Sequence, residues 1–317
     1  MEQLVSRAEL ESLLDAIARQ TNDPRAGIFG PSSVTWRINR EAALFLGAGR
    51  AALLQLAHPW VTTALAQHSS LLGDPVARFQ NTFRIVFTMI FGSLEQAFAA
   101  SRHLHTLHTH IRGEMTEAVG AWPAGSHYEA NEVGALVWVF ATLVESAVLA
   151  YACVGHLSDA EREQYYGESK TMAALFGIPA DALPADWAAF TEYNRRMVAS
   201  DMLCVSARAK SMGHAILAGA GSRIHPPRWY RALTVEWLPV RVRNEFGLAL
   251  SLRDERAAGR ARRWLPRLLR IVPDFLRFVG PYREGTARIR NRNVDGFARI
   301  SNRFWTGQSH LPFTEEP

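Results

Sequence analysis

Two cysteines in 317 residues, Cys153 and Cys204, are too few for a disulfide framework. They form no Cys-x-x-Cys-His attachment and no cysteine-based metal site. No glutamate has a histidine three residues later, which excludes the paired Glu-x-x-His arrangement of ferritin-like di-iron sites. The zinc motif His-Glu-x-x-His is absent as well. Gly47-x-Gly49-x-x-Ala52 is a relaxed match to a dinucleotide fingerprint. Helix formers precede it, however, and no strand–helix alternation follows, so the glycines are read as places where helices approach closely. The N-terminus has Glu2, Glu9 and Glu11 where a secretory signal needs a basic start and an apolar run. The expected location is therefore cytoplasmic.

Apolar residues make up 48% of the chain and aromatic ones 10%, enough for a sizeable core and one large helical domain. Residues 6–20 suit an amphipathic helix. Helical pattern resumes from Asn39 to Ser69, broken at Gly47–Gly49 and at His58-Pro59. Ser158 and Glu161 form a capping box opening a helix that runs to Phe176, and another helix starts near Trp187. The one long apolar run, Gly134–Val154, is long enough to span a bilayer. Thr142, Glu145 and Ser146 in its middle favour the central helix of a large α-domain, with Glu145 in a structural ion pair. The fold expected is all-α, a single domain over 1–317 with its core at about 29–221 and a basic helical extension over 222–317.

That extension holds nineteen arginines, no lysine and nine acidic residues, a net charge of +10 against −5 for residues 1–221. Within it, Arg253 to Gly280 alternates a basic face with Trp264, Leu265, Leu268, Leu269, Val272, Phe275, Leu276 and Val279. Such a stretch either packs over the core with solvated arginines or lies on an anionic membrane surface. Nucleic-acid binding has only charge in its favour, with no recognition motif.

The chemistry concentrates between Arg78 and Gly113. Four histidines, His103, His105, His108 and His110, fall within eight residues, and helical geometry separates them. Leu104, Leu107, His108 and Ile111 follow the i, i+3, i+4, i+7 rule, so His108 is the one directed at the core. In the preceding helix Arg78, Asn81 and Thr82 bring a guanidinium, an amide and a hydroxyl to one patch. They are either a solvated first turn, with Asp74 as cap and Pro75 at the first position, or the polar wall of an apolar cavity.

Several blocks resemble a known family in order and spacing. They are Arg40-Glu41, the run Leu46-Gly47-Ala48-Gly49-Arg50 through Ala57-His58-Pro59, Arg78-x-x-x-Thr82, His108-x-x-Ile-Arg-Gly113, and Trp138-Val-Phe-Ala-Thr142-Leu. From about residue 29 to 203 the chain resembles the MpaB and latex-clearing-protein (rubber oxygenase) family. The resemblance implies an all-α catalytic domain with a globin-like core that binds haem b non-covalently and uses dioxygen on isoprenoid double bonds. It implies His108 as the iron ligand and Arg78 and Thr82 as polar residues on the opposite side. Where the rubber oxygenases carry a distal lysine this chain has Asn81, whose amide is no basic ligand. No glutamate is placed as their distal base, so rubber itself is a doubtful substrate.

The activity expected is that of a haem-dependent oxygenase, taking dioxygen and an apolar, isoprenoid or other alkene substrate. His108 ligates the iron, Arg78, Thr82 and Asn81 face it, and apolar residues near Phe83, Phe87, Trp138 and Phe140 hold the alkene. Two alternatives use the same axial histidine: a haem or apolar-ligand binding or sensing protein without turnover, and a peroxide-dependent haem enzyme. His58 is read as an ordinary helix-end histidine.

Overall fold

The apolar run forms a helix over Val133–Tyr151, and the other elements are arranged around it. Its side chains include Leu136, Val137, Phe140, Ala141 and Val144, all buried. A helix apolar on every face is stable only when every face is covered. It is the one helix among the described residues long and apolar enough to cross a membrane, and 61% of its apolar window is buried inside the protein.

The computed structural model describes residues 3–68, 75–220 and 225–313. In chain order the elements are α1 (Arg7–Gln20), α2 (Val34–Asn39), a 3-10 turn over Ala42–Gly47, α3 (Ala48–Leu56), α4 (Pro59–His68), α5 (Pro75–Phe91) and α6 (Leu94–Thr109). Two short strands, β1 (Arg112–Glu114) and β2 (His127–Glu129), precede the central helix α7 (Val133–Tyr151). Then come α8 (Asp159–Leu175), a second 3-10 turn over Ala180–Ala182, α9 (Trp187–Ala199), α10 (Ala207–Ala218), α11 (Arg228–Trp237) and α12 (Val240–Glu245). The chain ends in α13 (Leu252–Ile271), α14 (Asp274–Arg277), α15 (Gly280–Ile289) and α16 (Gly296–Thr306). The protein is predominantly all-α, with one antiparallel two-stranded ribbon.

The breaks fall where the sequence places them. Gly47 closes the first 3-10 turn because a Cβ there would stand 2.5 Å from the Ser146 carbonyl oxygen of α7. The glycine pair is thus a packing device between helices. His58-Pro59 separates α3 from α4, with Pro59 at the first position of the second helix. Ser6, Ser93 and Ser158 each close a capping box, with Glu9, Gln96 and Glu161 respectively. Asp74 lies outside the described residues.

The polar groups of α7 are matched by α3. Arg50, itself buried, donates to Glu145 at 2.5 Å, to Ser146 Oγ at 2.9 Å and to the Trp237 carbonyl at 2.9 Å. Gln55 Nε2 donates to Thr142 Oγ1 at 3.0 Å, and Trp138 Nε1 to the Leu54 carbonyl at 3.1 Å. Glu145 is the structural ion-pair partner expected of it. One side of α7 packs with α1, α2, α8 and α9, while Trp138 joins α3, α10, α11 and α12.

Three local expectations are corrected. The histidine-rich helix ends at Thr109 and does not run to Gly113, because Arg112–Glu114 pairs with His127–Glu129. Residues 253–280 are not one continuous amphipathic segment: α13 accommodates Pro266 but ends at Ile271, and Pro273 then caps the short α14. The C-terminal third is interleaved with the core, with no character of an appended extension. Arg84 Nε donates to the Thr306 carbonyl at 2.9 Å, Arg288 Nη2 to that of Phe91 at 2.6 Å, and Val279 N to that of Arg40 at 2.9 Å.

The tightest tie of this kind is electrostatic. Glu41 is 1% exposed and receives a bidentate pair from Arg277 at 2.7 and 2.8 Å. The carboxylate holds the guanidinium pKa above its ordinary value. Removing one partner leaves the other charge buried. Arg277→Ala is expected to lower unfolding free energy by about 3 kcal/mol, measured by chemical denaturation. Adding Glu41→Leu to that variant should restore part of the loss. A single variant within about 0.5 kcal/mol of the parent would show that this pair does not anchor the C-terminal third.

Candidate functional site

Helices α5 and α6 form an antiparallel hairpin turning at Gly92-Ser93, so the first turns of α5 and the last turns of α6 share one end. On α5, Arg78 and Thr82 continue along the same stripe into Ile85 and Met89. On α6, His108 continues back into Leu104. Ile85, Met89 and Leu104 all pack in one apolar cluster with Val137 and Phe140 of α7. The two polar positions singled out in the sequence therefore begin stripes that converge over the central helix.

The histidines separate as their faces require. His103 is exposed against the Phe313 ring, and His110 is exposed with Nδ1 hydrogen-bonded to the Thr106 carbonyl at 2.8 Å. His105 Nε2 bonds the Val5 carbonyl at 2.9 Å. His108 is committed to no backbone carbonyl among the described residues. It keeps some accessible surface, yet protein encloses the ring closely, and burial pushes its pKa down to about 4. The neighbouring His105 lowers it further. His108 is thus a neutral imidazole at any pH near 7.

Beside it stands a residue the sequence did not single out. Pairing of β1 with β2, followed by Ala130 N donating to the Ile111 carbonyl at 2.9 Å, brings the start of α7 against the end of α6. Asn131 arrives there buried, with Nδ2 donating to the His105 carbonyl at 3.2 Å. Its Oδ1 has no hydrogen-bond partner of good geometry, although the amide acts on His108 by raising its pKa, against the larger effect of burial. An acceptor next to an imidazole selects the ring nitrogen that keeps its proton and leaves the other lone pair available. Asn131 is twenty-three positions from His108, so only the strand pairing, invisible to helical periodicity, could have revealed it.

On α5, Arg78 is half-buried, and burial lowers its pKa from the ordinary guanidinium value. Asn81 and Thr82 are exposed, and the Thr82 hydroxyl donates to the Arg78 carbonyl at 3.1 Å. Of the three, only Arg78 belongs to a buried wall. Leu107 is 44% exposed and lies on the rim, while Ile111, beyond the helix end, packs with Trp60, Met115 and Tyr128. The four-residue apolar face expected for α6 reduces to Leu104 and His108. Phe83 and Phe87 turn away from Arg78, into an aromatic stack with Phe45, Phe79 and Trp305. Trp138 belongs to the cluster on the other side of α7, so among the expected lining aromatics Phe140 alone shares the cluster of Ile85, Met89 and Leu104.

Two shallow surface clefts, one at Cys204 and Arg241 and one at His214 and Arg228, include none of these residues. Among the described residues no group of three or more His, Cys, Asp or Glu is placed to hold a metal ion by itself. Residues 35–270 match the family model described as the catalytic domain of ER-bound oxygenase mpaB/B′ and rubber oxygenase. The chain belongs to that family. No curated protein and no solved structure matches the chain. The match encloses the whole α5–α6 hairpin, α7 and the Arg50–Glu145 pair, and it makes this protein a member of an oxygenase family. It stops within α13, before α14, α15 and α16.

His58 departs from expectation. It is 3% exposed, its Nδ1 has no hydrogen-bond partner, and burial pushes its pKa down to about 4. It packs against Trp60 and Trp122. Its folded pKa lies below the ordinary 6.5, so the unfolded chain binds the extra proton first. The stability this group contributes is complete above about pH 6.5, falls as pH drops towards 4, and is lost no further below that. The expected loss from His58 alone is about 3 kcal/mol, and His108 acts in the same direction. Denaturation midpoints measured from pH 7.5 to 4 should decline less steeply in His58→Gln. Equal slopes would show that His58 is not held neutral.

Proposed function

We propose that this protein is a haem b-dependent oxygenase acting on an apolar, isoprenoid or other alkene substrate, with His108 as the residue that would hold the iron. The observation that carries the proposal is the state of His108: enclosed, neutral, bound to no backbone carbonyl among the described residues, and flanked by the Asn131 amide, which acts on the ring as a hydrogen-bonding side chain. A porphyrin brings four nitrogens of its own, so one such imidazole suffices where a bare metal ion needs several protein ligands. These residues therefore fit the group. When bound, a ferrous haem supplies electrons and an open coordination position for dioxygen.

The chain's own residues have separable tasks. His108 offers a nitrogen lone pair that requires no proton to be removed near neutral pH. Asn131 holds the ring's orientation and tautomer through an acceptor whose direction is set by its bond to the His105 carbonyl. Arg78, partly desolvated, is a strong donor to an anionic group at this end of the hairpin. The Thr82 hydroxyl can rotate to donate into the same space. Ile85 and Leu104, partly buried over Met89 and Phe140, would supply apolar surface for an alkene and exclude water. Asn81 carries an amide, which would be a poor ligand to iron where a lysine amine would be a good one.

Purified protein is expected to take up oxygen in the presence of an isoprenoid alkene and to form a carbonyl product, whereas a carrier or sensor binds without turnover. His108→Ala should lose both the Soret band and the oxygen uptake, while His103→Ala and His110→Ala retain them. Equal haem content in the three variants would falsify the assignment of His108.

A further inference from the structure

The C-terminal helices leave an apolar strip that nothing among the described residues covers. In α13 the first half is packed, with Ala257, Ala258 and Ala261 buried. The second half turns Trp264, Leu268 and Ile271 outwards, 65%, 52% and 78% exposed, at the i, i+4, i+7 spacing of one helical stripe. Phe275 and Leu276 of α14 follow directly and are also exposed. Phe275 packs edge-on against Phe297 of α16 at 5.2 Å, and from there Ile300 and Phe304 continue the strip at 65% and 56% exposure. Three helices thus contribute to one surface, and α16, which the sequence pattern did not bring into it, supplies its far end.

The charge around the strip is predominantly positive, with the exposed Asp274 beside Phe275 as an exception. Residues 260–304 hold twelve arginines, no lysine and three acidic residues. Of the acids, Glu284 is buried under Asn302 and the Leu311 amide, and Asp295 caps α16 and pairs with Arg283 at 2.6 Å. Arg260, Arg263, Arg267, Arg270, Arg299 and Arg303 are exposed beside the apolar residues. Arg267 lies over the Trp264 ring at 5.7 Å.

We propose that this strip docks the protein on an anionic lipid bilayer, with Trp264, Leu268, Ile271, Phe275, Ile300 and Phe304 entering the headgroup boundary and the arginines binding lipid phosphate. Charge decides between occupants. A second copy of the chain would set one arginine-rich rim against another, and like charges across an interface oppose association. A bilayer carrying acidic headgroups accepts both the apolar stripe and the rim.

The surface is joined to the candidate site. Gln80 Nε2 donates to the Arg303 and Phe304 carbonyls at 3.2 and 3.1 Å, which fastens α16 to the turn of α5 that carries Arg78 and Asn81. Delivery of a membrane-dissolved alkene to that end of the hairpin rests on the oxygenase reading. The docking itself does not.

The test is cosedimentation of the full chain with vesicles of phosphatidylcholine alone, or with phosphatidylserine at about one third of the lipid. We expect at least about tenfold tighter binding to the anionic vesicles, weakened by salt. Two variants, Leu268→Ser/Ile271→Ser/Ile300→Ser and Arg263→Gln/Arg267→Gln/Arg270→Gln, should each lose about tenfold or more of that binding. Their substituted side chains are solvent-facing, so their thermal unfolding should match the parent's. Absence of vesicle binding, or binding the serine variant retains in full, overturns the proposal. So does a concentration-dependent dimer that the serine variant abolishes in the absence of lipid binding. Haem content plays no part in this readout, so its outcome and that of the oxygenase reading are separable.

Discussion

Burial of α7 is the constraint on which the rest of the structure depends. Its nineteen residues, almost all apolar, leave no face for water, so neighbours must cover it on every side. The few polar atoms it carries need partners inside that cover. Arg50 and Gln55 of α3 provide them, and the close approach at Gly47 lets α3 come near enough to do so. Arg50 is buried while Glu145 keeps partial exposure, so the pair retains some solvation of its carboxylate and avoids the full cost of two desolvated ions. With α7 fixed in this way, one side of the α5–α6 hairpin joins the apolar cluster that α7 shares with α1, α2 and α8, while the other side of α5 packs under the C-terminal helices. The end of the hairpin that carries Arg78 and His108 becomes the place where polar chemistry meets the core.

At that end the histidines are not all used in the same way. His105 and His110 are used up by carbonyl oxygens, and Asn131 spends its amide hydrogens on His105. His108 and the Asn131 amide remain side by side, with burial holding the imidazole neutral. A neutral imidazole whose second nitrogen is uncommitted has a lone pair to offer another molecule. The membership of an oxygenase family, established over residues 35–270, gives that local imbalance a chemical context.

How far the sequence could be read depended on whether the governing interaction was local. The helix cap at Ser158, the breaks at Gly47 and Pro59, the central helix, and the role of Glu145 followed from spacing within a few turns. The choice of His108 among four histidines also rested on local periodicity; in the structure burial lowers its pKa, whereas His105 and His110 are bonded to carbonyl oxygens and His103 is exposed. Periodicity failed where a helix ended early. It assigned Ile111 to a face that ceases to exist after Thr109, and it counted Leu107 as buried though nothing covers it. Phe83 and Phe87 were misread because an apolar helix has two sides to bury, and only tertiary packing decides which side meets Trp305 and which meets α7. Asn131, Arg277 and the place of α16 depend on contacts between residues distant in the chain, for which a single sequence holds no signal.

The central claim is that one neutral histidine at the end of α6 is sufficient to hold an iron porphyrin without a covalent link or a second metal-binding cluster. The most direct measurement is the haem content of the purified full-length protein, read as a pyridine haemochrome after expression with adequate haem supply. The expected result is b-type haem at close to one per chain, extractable with acid solvent. A protein that carries no haem, and takes up none when titrated with it, would contradict the account.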